Sequence, residues 1–426
     1  MNYLHAEART REPLLTPAVI RVTLLNFLFF SAYLLFFPTL PFLIEGLGGA
    51  KSEIGLLIGI SSLASLLVRP FVGYAVDTVG RRPVMLAGLG LFAANALLYN
   101  TVQSVAMILP LRLLTGASMA VFVTAASATI ADVAAPSRRG EVMSYYGLAN
   151  SLAFAVGPAL GGYIIHAGWL EGFDTSLTSE FGWLAGAEMP ELHFTSLFLF
   201  AALIGLAGLA IVATGGETRP EVTGPPRRLS PAALFSRAGA FPACINFASS
   251  FVFASMVTFT PLFARDNGLQ NAGALFIVYA AMVIVMRLSL GRFMDRYPRA
   301  WFIVPGIAAL SLSMVTMATA HNVPQMFVAA GLYGVGAGTF QPAMMAHLVD
   351  HTEPGERGRA LSTFTLGNDL GLSVGALVLG VLVDYAGYRP AFVVAAAMAA
   401  SGALLFFISA RRTHGWRAVQ QPDARP

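Results

Sequence analysis

Apolar stretches of about 20 residues, each followed by a short polar segment, recur along the whole chain. About 20 residues of helix cross the roughly 30 Å of hydrocarbon in a bilayer. Lipid offers no hydrogen-bond partner, so the backbone of each stretch must pair with itself as a helix. The pattern predicts twelve spans, at 19–43, 53–74, 83–101, 105–132, 141–166, 194–214, 238–263, 272–295, 301–320, 325–350, 359–384 and 389–410.

The basic residues favour one orientation of these spans. If both termini are cytoplasmic, the segments on that side carry 20 arginines, and the outer loops carry only Lys51, Arg265 and Arg389. This is the positive-inside bias of membrane proteins. Arginine far outnumbers lysine, and Ala, Gly and Pro are abundant, which indicates a GC-rich bacterial genome. We expect a multi-pass protein of the bacterial cytoplasmic (inner) membrane, with both termini in the cytoplasm.

Composition narrows the function classes. The chain has 426 residues, of which 56% are hydrophobic and 11% are charged, too few charges to cover a soluble surface. The basic residues are spread between apolar segments, so no nucleic-acid partner is expected. No Walker loop, metal-spaced His or Cys set, or Ser-His-Asp arrangement occurs. We therefore expect no enzyme, no ATP-driven pump, no metal and no cofactor. A sensor would carry a soluble signalling domain, for which neither terminus is long enough.

The chain contains an internal repeat. Residues 215–236 are rich in Pro, Gly and Arg and predict a cytoplasmic linker between two six-helix halves, 1–214 and 237–426. A shift of 218 residues places Arg69 on Arg287 and Asp132 on Asp350, and it aligns several Gly, Pro and Asn residues without a gap. Such matches predict a duplicated six-helix unit. Residues 167–193 predict a long outer loop, which is either a tolerated surface insertion or a gate or lip that attracts substrate.

The turn between the second and third spans carries a recognisable motif. Its sequence GYAVDTVGRR resembles the pattern G-x-x-x-D-x-x-G-R-R of the major facilitator superfamily, and the matching residues are Gly73, Asp77, Gly80, Arg81 and Arg82. Thr78 stands where the family usually has Arg or Lys, and Pro298 replaces the glycine in the second copy. The resemblance covers essentially the whole chain. It implies an all-α integral membrane fold of two pseudo-symmetric six-helix bundles.

The charges of this turn predict a cytoplasmic gate. Asp77 can stabilise the N-terminus of the eleventh helix by about 0.3–1 kcal/mol, and Arg81 can reach Asp132. Such contacts would latch the inner side and break when the cavity opens inward. The alternative is that the two arginines only fix the topology. The predicted gate set is Gly73, Asp77, Gly80, Arg81, Arg82, Asp132, Asp295, Arg299 and Asp350.

Three charged residues within the spans are candidates for proton coupling. Arg112 is costly to bury and belongs to an R-x-x-x-G spacing that resembles the family's fourth-helix motif, which is linked there to proton coupling. Asp369 is the one acid near the middle of a span, and Arg69 on the second span could face it. Burial disfavours an ionised carboxylate and a nearby Arg favours it, so small rearrangements could switch its protonation. The alternatives are a snorkelling Arg112 and a static Asp369–Arg69 pair.

Two further patterns bear on the direction and the cargo of transport. The fifth span resembles the family's antiporter motif at Gly157, Pro158, Gly161 and Gly162. Together with Pro38 and Pro41, this favours an exporter that exchanges a small solute for protons; the alternative is a symporter or a proton-independent facilitator. By resemblance, the substrate cavity includes Asn26, Tyr33, Arg112, Asn246 and Gln341. The expected partners are the solute, protons and the bilayer, with the protein as a monomer.

Overall fold

A computed structural model describes residues 14–135, 138–167, 193–218, 236–269, 271–294, 297–353 and 356–412. Within these ranges the chain consists of helices and short connections, and no strand is formed. The all-α membrane fold predicted from the apolar stretches is therefore confirmed. Most of the predicted outer loop (167–193) and of the predicted linker (215–236) lies outside the described residues.

The helices follow the predicted spans closely. The first six are α1 (Pro17–Gly46), α2 (Lys51–Thr78), α3 (Arg81–Leu98), α4 (Val105–Val133), α5 (Arg139–Ala167) and α6 (Phe194–Ala213), with a 3-10 turn, Tyr99–Thr101, after α3. The next six are α7 (Arg237–Thr258), α8 (Gly273–Met294), α9 (Ala300–Ala318), α10 (Val323–Asp350), α11 (Arg357–Ala386) and α12 (Tyr388–Arg412). A short helix, Thr260–Asp266, continues the path of α7.

The break after α7 interrupts a span that the sequence predicts as continuous over 238–263. Pro261 has no N–H to give to the preceding turn, and its ring crowds the carbonyl four residues earlier. The hydroxyl of Thr260 donates across the break to the carbonyl oxygen of Ser255 at 3.4 Å, an oxygen that also accepts the backbone N–H of Phe259. Helix breaks of this kind are tolerated in membranes where side chains satisfy the freed backbone groups.

Eleven of the described helical segments have the length and hydropathy of a membrane span. The twelfth, α10, has 28 residues and is long enough to cross, but its glycines and Gln341 lower its hydropathy below that of the others. Large apolar side chains are exposed on the outer faces of the helices, such as Phe71 (69% exposed) and Leu288 (71% exposed). Exposed apolar faces of this extent fit contact with lipid.

The chain forms two compact units. The first comprises Met1–Leu47 and Leu63–Leu229, and the second comprises Gly48–Ser62 and Ser230–Pro426. The first part of α2 thus belongs with the second unit and the rest of α2 with the first. The predicted boundaries of the halves, at 214 and 237, stay a prediction.

The two units repeat one packing scheme. In the first unit, α1 packs on α4, α5 and α6, and α3 packs on α4 and α6. In the second unit, α7 packs on α10, α11 and α12, and α9 packs on α10 and α12. Adding six to each helix number converts the first set into the second, as expected for a duplicated six-helix unit.

Candidate functional site

A charged cluster joins α2, α3 and α4 within the first unit. The Nε of Arg81, a residue that is 9% exposed, donates to Oδ2 of Asp132 at 2.9 Å. Its Nη1 donates to the carbonyl oxygen of Val76 at 2.9 Å and lies 3.5 Å from Oδ1 of Asp77. The Asp77 side chain is 67% exposed. Arg81 therefore ties the end of α2 to the end of α4, and its contact with Asp132 is the one that the sequence predicts.

The second unit repeats this cluster at the predicted offset of 218 residues. The Nε of Arg299 donates to Oδ2 of Asp350 at 3.1 Å, and its Nη1 donates to the carbonyl oxygen of Met294, the equivalent of Val76. Asp295, the predicted equivalent of Asp77, lies outside the described residues. The same tie between neighbouring helix ends thus occurs in both copies, whereas its role as a gate stays a prediction.

The turn between α2 and α3 is short, and Glu217, which follows α6, holds it in place. Only Val79 and Gly80 lie between the two helices, and Gly80 has a φ of +123°, which side chains disfavour. Glu217 accepts hydrogen bonds from the backbone N–H groups of Arg81 (2.9 Å) and Arg82 (3.1 Å). A Cβ on Gly80 would lie 2.7 Å from this carboxylate. Glu217 thus caps α3, whose own first turn has no capping side chain.

The other two predicted gate residues of this turn differ in their surroundings. The Nη2 of Arg82 donates to the carbonyl oxygen of Ala213 at 2.6 Å, so it binds the end of α6. Gly73 lies inside α2, and a Cβ there would meet no atom within 4 Å. Packing within the described residues therefore does not explain why position 73 is glycine.

The glycines of the predicted antiporter motif bring α5 against α1. A Cβ on Gly157 would lie 2.7 Å from the carbonyl oxygen of Ser31, and one on Gly161 would lie 2.5 Å from that of Leu35. Real Cβ atoms do not approach so closely, so glycine is required for this contact. Pro158 and Gly162 are also buried in α5. In the second unit, Gly367, Gly371 and Gly375 of α11 make the equivalent contact with α7.

Asp369 lies on α11 and is 5% exposed. It shares one face of the helix with Ser373, Ala376, Gly380 and Asp384, at steps of three or four residues. Along that face the first part of α2 packs closely: a Cβ on Gly59 would lie 2.6 Å from the carbonyl oxygen of Ser373. Asp369 thus lies on the same face of α11 as the residues that contact the first part of α2, and closer to the start of α11 than they do.

Asp384, at the far end of this stripe, caps α2. Its Oδ1 accepts the backbone N–H of Lys51 at 2.9 Å, and its Oδ2 accepts that of Ser52 at 2.8 Å. The residue before α2 is Ala50, which cannot cap a helix with its side chain. A carboxylate in the last turn of α11 is unfavourable for that helix alone, but it is favourable at the N-terminus of α2.

We expect Asp384→Ala to release the first turn of α2. Removing both acceptor oxygens should lower the stability of this helix end by about 1–2 kcal/mol, the usual effect of losing an N-cap. Hydrogen–deuterium exchange of a peptide covering residues 50–56 should then become faster, whereas Asp266→Ala, which removes an exposed acid paired with Arg265, should leave it unchanged. Equal exchange in the two variants would contradict the capping role.

The two arginines predicted within the spans of the first unit lie at different depths. Arg112 is 1% exposed and is one of the largest fully buried side chains among the described residues. One turn further along α4, Thr115 accepts a hydrogen bond from the amide of Asn95 on α3 at 2.8 Å. Arg69 is half-buried in the part of α2 that belongs to the first unit. Burial to this degree does not fit a snorkelling Arg112, whereas the pairing of Arg69 with Asp369 stays a prediction.

The predicted cavity residues include polar atoms that lack a hydrogen-bond partner. Asn26 is 1% exposed, and neither atom of its amide is bonded among the described residues; the same holds for the hydroxyl of Ser31. In the second unit, the amide nitrogen of Asn246 donates to the carbonyl oxygen of Phe364 at 3.1 Å, and its amide oxygen accepts no bond from the part of the chain that the structure describes. Tyr33 is 4% exposed and Gln341 is half-buried. Unmade bonds of buried groups are costly unless a solute or water completes them.

The comparison with protein families decides the identity of this helical scaffold. A model of the Major Facilitator Superfamily matches the chain over residues 22–299 and again over 243–425. The chain belongs to this superfamily. The second match begins within α7, at residue 243, as expected for a major facilitator protein whose second unit repeats the first.

Known major facilitator proteins align with nearly the whole chain. Multidrug resistance protein 1 of Bacillus subtilis is 24% identical over 380 residues, 87% of this chain and 92% of the relative. The quinolone resistance protein NorA of Staphylococcus aureus is 21% identical over 382 residues, 84% of this chain and 89% of the relative. A solved bacterial homologue of the human lysosomal transporter Spinster, inward-facing and occupied, has a TM-score of 0.77 at 15% identity, with 97% and 100% of the two chains covered.

Sequence reasoning missed two of the acids in this major facilitator scaffold. Asp384 falls at the edge of the eleventh predicted span and Glu217 within the predicted linker, so neither is a candidate there. The sequence shows that α2 begins after Ala50, whose side chain cannot cap a helix, but it does not show which acid supplies the cap. Within the described residues, no group of three or more His, Cys, Asp and Glu side chains could hold a metal ion.

Proposed function

We propose that this major facilitator protein is a secondary active transporter that exports a small solute across the bacterial cytoplasmic membrane in exchange for protons, as a monomer working by alternating access. Relatives named for multidrug and quinolone resistance, which align over more than four fifths of the chain, support the export of solutes. The motif glycines that hold α5 against α1 support the same direction.

The observation that carries the proton coupling is the position of Asp369. An acid in the middle of a membrane helix is costly and is retained where it has a function. Asp369 is buried, and its equivalent in the first unit is Ser151, so duplication of the unit does not account for the acid. A buried carboxyl group binds or releases a proton when its surroundings change polarity or when a cation approaches.

The buried cation of the first unit supports an anionic or zwitterionic solute. Arg112 would attract a carboxylate, and the unbonded amides of Asn26 and Asn246 would complete their hydrogen bonds to polar groups of the solute. A quinolone carries a carboxylate beside an apolar ring system, which suits this combination. It is therefore the first compound to test.

The ends of the helices supply the contacts that such a cycle would make and break. With Arg81 and Arg82 on the cytoplasmic side, the ion pair between Arg81 and Asp132 shapes the inner gate, and the cap of Asp384 on α2 lies at the outer end of α11. We infer that Asp384 caps α2 while the transporter is closed on its outer side. This cap is released when the outer side opens.

Proton exchange can be measured in inside-out vesicles with an acidic interior. Adding the quinolone norfloxacin should draw protons out of vesicles that contain the protein, and a pH-sensitive dye should report the loss of the gradient. Vesicles without the protein provide the control. If the quinolone enters the vesicles only down its own gradient, with no proton movement, the chain is a facilitator. A gradient that drives the quinolone out of the vesicles would indicate a symporter.

A further inference from the structure

We propose that a cavity in the first unit binds the phosphate group of an anionic ligand. The cavity lies where α1 begins, α3 begins, α4 ends and α6 ends. Its polar lining comes from Arg21, Arg82, Thr129 and Thr218, and the remainder is apolar or glycine. We call it the arginine cavity. The proposal is independent of the transported solute, because all these residues lie at one end of the helices of the first unit.

Two guanidinium groups are fixed beside the cavity by the end of α6. A Cβ on Gly215 would lie 3.1 Å from Cζ of Arg21, so the guanidinium of Arg21 rests directly on this glycine. The Nη2 of Arg82 donates to the carbonyl oxygen of Ala213 at 2.6 Å. Neither arginine forms an ion pair with a residue of the described ranges. Two positive charges thus line one small cavity.

The cavity also holds donors that lack an acceptor. The Nε of Arg82 and the hydroxyl of Thr218 are both buried, and neither has a hydrogen-bond partner in the described part of the chain. Leaving such groups unbonded is costly, more so for a charged donor. The hydroxyl of Thr129 is already satisfied, because it donates to the carbonyl oxygen of Ala125 at 2.8 Å. A phosphate group offers several acceptor oxygens to the remaining donors.

Glu217 lies between two residues that line the cavity, Gly216 and Thr218, and its oxygens are bound to backbone N–H groups. Its two oxygens accept the backbone N–H groups of Arg81 and Arg82, and one of them also accepts that of Thr218 at 3.0 Å. The carboxylate thus serves the N-terminus of α3 and the turn after α6. Two guanidinium groups against one carboxylate leave the arginine cavity positively charged.

A simpler account is that the arginines only cap α6. Cations do stabilise the C-terminal carbonyl groups of a helix, and Nη2 of Arg82 makes such a bond. This account leaves Nε of Arg82 and the hydroxyl of Thr218 without a partner among the described residues, whereas a bound phosphate offers acceptor oxygens to both. The phosphate could belong to an anionic lipid headgroup or to a free ion, and the experiment must separate these sources.

The test measures thermal unfolding of the purified, delipidated protein in a neutral detergent. One series adds sodium phosphate against sodium chloride at equal ionic strength. The other adds phosphatidylglycerol against diacylglycerol, which has the same chains without the phosphate. A ligand that binds the folded state raises the unfolding midpoint in a saturable way. A response to phosphatidylglycerol alone identifies a lipid headgroup, and a response in both series identifies the phosphate group as sufficient.

Variants locate the effect. Arg21→Gln should weaken the apparent affinity about tenfold, as expected for the loss of a charge-assisted hydrogen bond. Thr218→Val keeps the side-chain shape and should weaken the affinity about threefold to fivefold. Arg411→Gln, which removes a guanidinium that stacks on Phe407 at 4.3 Å, provides the control and should bind like wild type. The proposal fails if wild type responds to neither ligand, or if Arg21→Gln and Thr218→Val both respond like wild type.

Discussion

Replacing Asp369 by Asn should abolish substrate-driven proton movement while leaving proton-independent exchange of the solute in place. Asparagine keeps the size of the side chain and can still form hydrogen bonds, but it cannot bind and release a proton at physiological pH. The protein should therefore still fold and alternate between its states.

Two measurements separate this coupling role from a structural one. Dye-reported proton movement in inside-out vesicles should fall to the level of vesicles without the protein, a loss of at least about tenfold. Counterflow of labelled norfloxacin, which needs no proton, should stay within about twofold of wild type. Asp369→Glu should restore part of the proton movement, and Asp266→Asn, at an exposed acid, should change neither readout.

A different pattern would identify Asp369 as half of a static ion pair. In that case Asp369→Asn would reduce counterflow and proton movement together, and thermal unfolding would occur at a lower temperature. Removing one partner of a buried pair leaves the other charge uncompensated, which is strongly destabilising. Arg69→Gln would then produce the same loss of stability, and the proton site would have to be sought elsewhere.

The ion pairs between helix ends could be predicted because charged residues are rare in this apolar chain. Arg81 and Asp132, and their counterparts Arg299 and Asp350, are matched by one offset in the sequence and form ion pairs in both units. Chance produces few ordered matches of charged residues where only 11% of residues are charged. The helices were predictable for a related reason, since lipid permits only one backbone conformation for a single apolar span.

The two acids that cap α2 and α3 could not be predicted, because the sequence does not show which carboxylate a given backbone N–H group will meet. Glu217 follows α6 and binds the start of α3, and Asp384 ends α11 and binds the start of α2. Both contacts join segments more than 100 residues apart, so neither is written in a local pattern. The close approach of α1 to α5 could be predicted only in part, because the glycines indicate a tight helix contact but not which helix makes it.

The second large effect concerns that approach: Gly161→Ala should destabilise the first unit, whereas Gly147→Ala on the same helix should not. A Cβ at position 161 would lie 2.5 Å from the carbonyl oxygen of Leu35, and one at position 147 would meet nothing within 4 Å. Alanine favours a helix over glycine by about 1 kcal/mol, so the control should be neutral or slightly stabilised. Overpacking at Gly161 should cost about 1–3 kcal/mol.

Thermal unfolding in detergent, followed by size-exclusion chromatography, measures this difference. A loss of about 2 kcal/mol in a bundle of this size should lower the unfolding midpoint by about 4–8 °C relative to Gly147→Ala. If Gly161→Ala unfolds at the same temperature as the control, the tight contact between α1 and α5 is wrong. If it is destabilised but its remaining folded fraction transports at the wild-type rate, the motif acts through packing. If transport by the folded fraction falls as well, the spacing of α1 and α5 is itself part of the transport cycle.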